Sequence, residues 1–120
     1  MLKKKVGVLR GGPSSEYEVS LKSGNSVIDN LADRYEVLDI YIDKKGIWHY
    51  LGIPVKPERI FKMVDVIFNA LHGAYGEDGT VQKLLDYFKI PYTGSTALAS
   101  AVGMNKLLSK NIYSTKLNKQ

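Results

Sequence analysis

The sequence predicts an α/β fold: a small, mostly parallel sheet with helices on both faces. Three observations carry this. Short apolar runs rich in β-branched residues alternate with stretches of helical periodicity. Two of those runs, ending near Arg10 and Leu71, pass directly into glycine-rich loops. Each loop is followed by a helix-start pattern, the strand–loop–helix order of parallel α/β proteins.

Lys4 to Arg10 reads as the first strand, with Val6, Gly7, Val8 and Leu9 suited to a buried parallel position. Gly11-Gly12-Pro13 ends it. Ser15 and Glu18 form an S-x-x-E pattern, which predicts a capping box and a helix beginning near Glu16. The expected buried face of that helix is Gly24, Ile28 and Leu31, with Val27 beside it and Gly24 allowing close approach to the sheet. Tyr35 to Asp43 is a second strand, Lys44-Lys45-Gly46 a turn, and Ile47 to Tyr50 the return strand of a hairpin. Pro54 and Pro57 punctuate a loop, and Glu58 to Met63 form a short helical turn. Val64 to Leu71 is another buried strand, leading into His72-Gly73-Ala74-Tyr75-Gly76-Glu77-Asp78-Gly79. Val81, Leu84, Leu85 and Phe88 lie at i, i+3, i+4 and i+7 of a helix. Ile90-Pro91-Tyr92 is a short strand. A small-residue helix from Ala97 to Val102 and a stripe of Met104, Leu107, Leu108 and Ile112 complete the pattern.

The bulk composition narrows the function. At 120 residues, 44% apolar and 24% charged, the chain suits one domain with its own core. Its net charge of +5 is unevenly spread. From Gly103 on there are four lysines and no acid, whereas residues 1–102 carry 13 basic and 12 acidic side chains. A near-neutral domain without a basic aromatic stripe argues against nucleic-acid binding. No apolar run approaches the roughly 20 residues of a membrane span, and no secretory signal opens the chain. With no cysteine, thiolate metal sites, disulfides and Cys nucleophiles are excluded, which fits a cytoplasmic protein.

In a parallel sheet both glycine loops lie beyond the strands' carboxyl ends, on one edge of the domain. The chemistry-bearing residues there are few. Glu16, at a helix start, can pair with an ammonium group or can simply complement the helix dipole. Ser14, Ser15 and Ser20 surround the same turn, with Ser20 one helical turn beyond Glu16. No histidine stands near enough in sequence to imply a serine nucleophile. His72 can meet an anion or can cap strand-end backbone groups. His49 reads as structural, and the two histidines have no metal-ligand spacing. Asp78 suits a helix cap. The glycines make neither a dinucleotide fingerprint nor a phosphate-binding P-loop.

Three blocks, GGPSSEYEVSLKSG (Gly11–Gly24), ALHGAYGEDGTVQKLL (Ala70–Leu85) and PYTGSTALASAVGMNKLLSK (Pro91–Lys110), together resemble the N-terminal domain of D-alanine–D-alanine ligases, members of the ATP-grasp superfamily. The resemblance implies a Rossmann-like, pre-ATP-grasp sheet. It further implies a reaction in which the carboxylate of a first D-alanine is phosphorylated with ATP and magnesium. The amine of a second D-alanine then attacks, giving the dipeptide used in peptidoglycan synthesis. By the same resemblance Glu16 holds the ammonium of the first D-alanine, Ser20 lines the site, and His72 lies near the substrate carboxylate. Glu77 helps orient the site, and Lys106 contacts ATP phosphate, although Asn105 stands where the family commonly has Asp. Glu16, Ser20 and His72 are thus the implied catalytic set, and Glu16, His72 and Glu77 the substrate contacts.

The expected organisation is a substrate-binding domain over 1–102 and a helix and tail over 103–120 leading into an ATP-grasp domain that these residues do not contain. That domain would be the partner that supplies most of the ATP pocket and the magnesium carboxylates. The 120 residues alone are therefore expected to be inactive and to bind no cofactor tightly. The Met104–Ile112 stripe is expected to face the neighbouring domain, and the resemblance also admits a homodimer. The competing expectation is a stand-alone, non-catalytic domain of this fold that binds an amino acid or a protein.

Overall fold

The computed structural model describes residues 3–93. Six strands form one sheet in the order β4-β3-β2-β1-β5-β6. They are β1 (Lys5–Gly11), β2 (Glu36–Ile42), β3 (Trp48–Tyr50), β4 (Ile53–Pro54), β5 (Val66–Asn69) and β6 (Tyr92–Thr93). The helices are α1 (Tyr17–Leu31), α2 (Pro57–Phe61) and α3 (Thr80–Tyr87). β1 runs parallel to both β2 and β5, and β5 parallel to β6, while β3 and β4 are antiparallel additions at one end.

Alternation along β1 divides the core. Val6 and Val8 point to one face, where they meet Val27 and Leu31 of α1 with Val66 and Phe68 of β5. Leu9 points to the other, against Ile40, Ile42, Ile60, Ile67, Val81 and Leu85, so α2 and α3 cover that side. Helices thus lie on both faces, as the sequence predicts. Gly24 permits the close fit of α1: a Cβ there would lie 2.5 Å from Arg10 Cβ. The Arg10 guanidinium in turn bridges the layers, bonding both Asp39 carboxylate oxygens and the Leu21 carbonyl.

Two local expectations are corrected. The Ser15–Glu18 capping box does not form; the helix entry is held instead by Ser14, whose Oγ accepts the Glu16 N–H at 2.9 Å. The segment around Pro54 is a two-residue edge strand rather than plain loop. Its missing N–H costs no ladder bond at an edge, and the next residue, Val55, donates to the Trp48 carbonyl. The expected 102/103 boundary, the helix over Ala97–Val102 and the Met104–Ile112 stripe lie outside the described residues.

Candidate functional site

The chain leaves β1 toward β2 on one side, and β5 returns on the other side of β1, so the strand order reverses between β1 and β5. Ligand crevices in open α/β sheets form outside the strands' carboxyl ends at such a reversal. Here the crevice is flanked by Gly11–Glu16 after β1 and by Ala70–Gly79 after β5.

The first loop turns sharply because Gly11 and Gly12 both take positive φ, 97° and 93°. Gly12 N–H then reaches the Ile42 carbonyl at 2.7 Å, locking the turn onto the end of β2. Glu16, exposed, sits at the N-cap of α1. Beside it, the Tyr17 and Tyr41 hydroxyls share a hydrogen bond, which with burial holds the Tyr41 phenol up at about 12. The start of α1 is thereby fastened to β2.

The second loop is built around Asn69. Its Oδ1 accepts the Leu71 N–H and its Nδ2 donates to the Gly76 carbonyl, which also accepts from Gln82 Nε2. Glu77 closes the loop on itself, with Oε1 accepting from Gly73 N–H and its own N–H donating to the Gly73 carbonyl. Trp48 Nε1 donates to the Tyr75 hydroxyl at 2.8 Å, anchoring a residue held at a φ of 76°. Asp78 caps α3 through Thr80. Bonds from the Thr80 hydroxyl and from the Tyr75 and Thr80 amides pull its carboxyl down to about 2.

The two loops meet. A Cβ on Gly73 would lie 2.5 Å from Ser14 Oγ and 3.5 Å from Glu16 Oε2, so only glycine lets the second loop approach the first so closely. His72 precedes that glycine. Its Nε2 is 2.8 Å from Ser23 Oγ on α1, and its Nδ1 is 3.8 Å from Glu77 Oε2. Glu16, His72 and Glu77 therefore share one rim.

Ser20 is placed differently. It is fully buried, and its Oγ accepts from Gly11 N–H at 2.9 Å while donating to the Ala70 carbonyl at 2.7 Å. Both functions of the hydroxyl are engaged, which makes it a tie between the two loops. His49 bonds Asp43 Oδ2 and packs on Tyr41 rather than joining Glu16, His72 and Glu77, and it depresses the Asp43 carboxyl. Lys106 lies outside the described residues. Asn69, Ser23, Trp48 and Tyr75 go unremarked as site builders in the sequence, and Ser14 is read there only as a hydroxyl near the turn. Asn69 alone carried a local signal, an amide at the end of an otherwise apolar strand.

The family model described as the D-ala D-ala ligase N-terminus matches residues 5–59 and 51–95. The chain belongs to that family. It is 47% identical over 111 residues to the D-alanine–D-alanine ligase of Geotalea uraniireducens, covering 92% of this chain and 33% of that protein. The corresponding enzyme of Thermoanaerobacter sp. (strain X514) is 39% identical over 144 residues, covering 94% of this chain and 40% of the relative. Among solved structures, the D-alanine–D-alanine ligase of Coxiella burnetii superposes with a TM-score of 0.66 at 30% identity, over 92% of this chain and 40% of that one. The VanG D-Ala:D-Ser ligase of Enterococcus faecalis gives 0.67 at 32% identity, over 89% and 41%. The chain thus spans about a third to two fifths of the length of these ligases and corresponds to their N-terminal part.

Proposed function

We propose that this chain is the first-substrate-binding part of a D-alanine–D-alanine ligase that makes the D-alanyl-D-alanine unit of peptidoglycan in the cytoplasm. The observation that carries the reading is the approach of the Glu16 carboxylate to the Gly73 backbone, which brings that carboxylate and the His72 imidazole to one rim. An α-amino acid has an ammonium and a carboxylate a few ångströms apart. Glu16 would hold the ammonium, and His72, as a hydrogen-bond donor, the carboxylate that the reaction activates as an acyl phosphate. Glu77 would keep the His72 loop in shape, and Ser20 would hold the two loops at their working separation.

ATP and magnesium enter this proposal through the family. Among the described residues no group of three His, Cys, Asp or Glu side chains converges on a metal position, and Lys106 is the residue of this chain assigned to ATP phosphate. No helix among the described residues is long and apolar enough to cross a membrane. A polypeptide of these 120 residues, given MgATP and D-alanine, is expected to release no phosphate above background. Clear turnover would contradict this assignment of roles.

Substrate binding is tested by titrating D-alanine into the chain and following backbone and His72 ring resonances by NMR. Shifts should concentrate at Glu16 and at His72–Gly73. Glu16→Gln should weaken D-alanine binding roughly 10- to 100-fold, the worth of a charge-assisted hydrogen bond. D-lactate, which keeps the carboxylate and lacks the ammonium, should bind native chain and variant alike. Equal D-alanine affinity in the two proteins would remove Glu16 from the site.

A further inference from the structure

We propose that Ser23 is a positioning residue that, together with the Glu77 carboxylate, holds His72 as its Nδ1–H tautomer at the rim of the crevice. The D-alanine expected at that rim rests on the function proposed above; the tautomer does not.

The ring is approached by polar groups from two sides. Ser23 Oγ lies 2.8 Å from Nε2, and the Glu77 carboxylate lies on the Nδ1 side, with Oε2 at 3.8 Å. A neutral imidazole has one N–H and one lone pair. The anionic side favours the N–H at Nδ1, so the lone pair at Nε2 accepts the Ser23 hydroxyl proton. Glu77 cannot swing freely to Nε2, because its Oε1 accepts from Gly73 N–H at 2.8 Å. Ser23 is equally constrained, being carried by α1 rather than by a loop.

The helix supplies the reason for the spacing. Glu16, Ser20 and Ser23 stand at i, i+4 and i+7 at the start of α1, on one face. Each addresses the segment after β5: Ser20 the Ala70 carbonyl, Ser23 the His72 ring, and Glu16 the Gly73 backbone. With Nε2 held by the helix and Nδ1 turned toward Glu77, the ring is set from both sides.

The test is ring ¹⁵N NMR of the chain, first without ligand. In its neutral form, native His72 should show the Nδ1–H pattern. Ser23→Ala should populate the Nε2–H form, and Ser23→Thr, which keeps the hydroxyl, should restore the native pattern. Ser26→Ala, on the exposed side of α1, serves as the control and should change nothing. Ser23→Ala should also weaken D-alanine binding roughly three- to tenfold, the range expected for one hydrogen bond. An Nε2–H pattern in the native chain, or an unchanged tautomer in Ser23→Ala, overturns the proposal. Failure of native chain to bind D-alanine would instead overturn the proposed substrate, with the tautomer still deciding the role of Ser23.

Discussion

Gly11→Ala is expected to lower the stability of the domain by about 3 kcal/mol or more, through backbone conformation and collision together. Gly11 ends β1 at a φ of 97°, a region costing an L-residue roughly 1–2 kcal/mol. The added Cβ would also lie 2.3 Å from the Ile42 carbonyl oxygen. That oxygen is backbone in the neighbouring strand and accepts the Gly12 N–H at 2.7 Å, so it cannot retreat without breaking the turn. Thermal unfolding should show Tm reduced by more than about 10 °C for a domain of this size. A variant within about 0.5 kcal/mol of the native chain would mean that the corner yields easily. It would then be a poor base for holding Glu16.

Ser20→Ala is the second large effect, expected at about 2–4 kcal/mol in urea unfolding. Removing the hydroxyl leaves Gly11 N–H and the Ala70 carbonyl without their buried partner, and each such group costs about 1–3 kcal/mol. Hydrogen exchange gives an independent reading, since the Gly11 amide should lose protection in the variant. A serine that lined the site without holding it together would behave oppositely, weakening D-alanine binding at undiminished stability. Because Gly11 and Ser20 meet in one hydrogen bond, the double variant should fall short of the sum of the two losses.

These two residues also illustrate what the sequence makes legible. Strands and helices follow from local period: the β-branched runs at Val6–Leu9 and Val66–Phe68, and the Val81–Leu85 spacing, each declare the face they bury. That Glu16 and His72 lie at one edge is legible because glycine loops follow parallel strands, while the roles proposed for them rest on the family resemblance. The parts that escape are those whose partners are distant in sequence. Ser23 and His72 are 49 residues apart, and Trp48 and Tyr75 are 27 apart. No local pattern distinguishes Ser20, with both its bonds buried, from Ser15, which is exposed. The capping box fails for a related reason. Two adjacent serines compete for the same entry, and the bond is made by Ser14, already pressed against Gly73.

The rigid stripe along α1 has a consequence for how this domain can change by insertion and deletion. An α-helix advances about 100° per residue, so one residue added between Glu16 and Ser23 would carry every later side chain off its bearing. Ser23 would leave the imidazole, Gly24 would leave Arg10, and Val27 and Leu31 would turn out of the core together. Glu16, before the insertion, would keep its place. The Ser23 bond to His72 and the core packing of α1 are thus keyed to a single angular phase, and a shift in length there would break both at once. The Lys44–Gly46 turn, at the opposite end of β2 from the α1 exit and carrying no part of this stripe, is where the chain can change length without disturbing that phase.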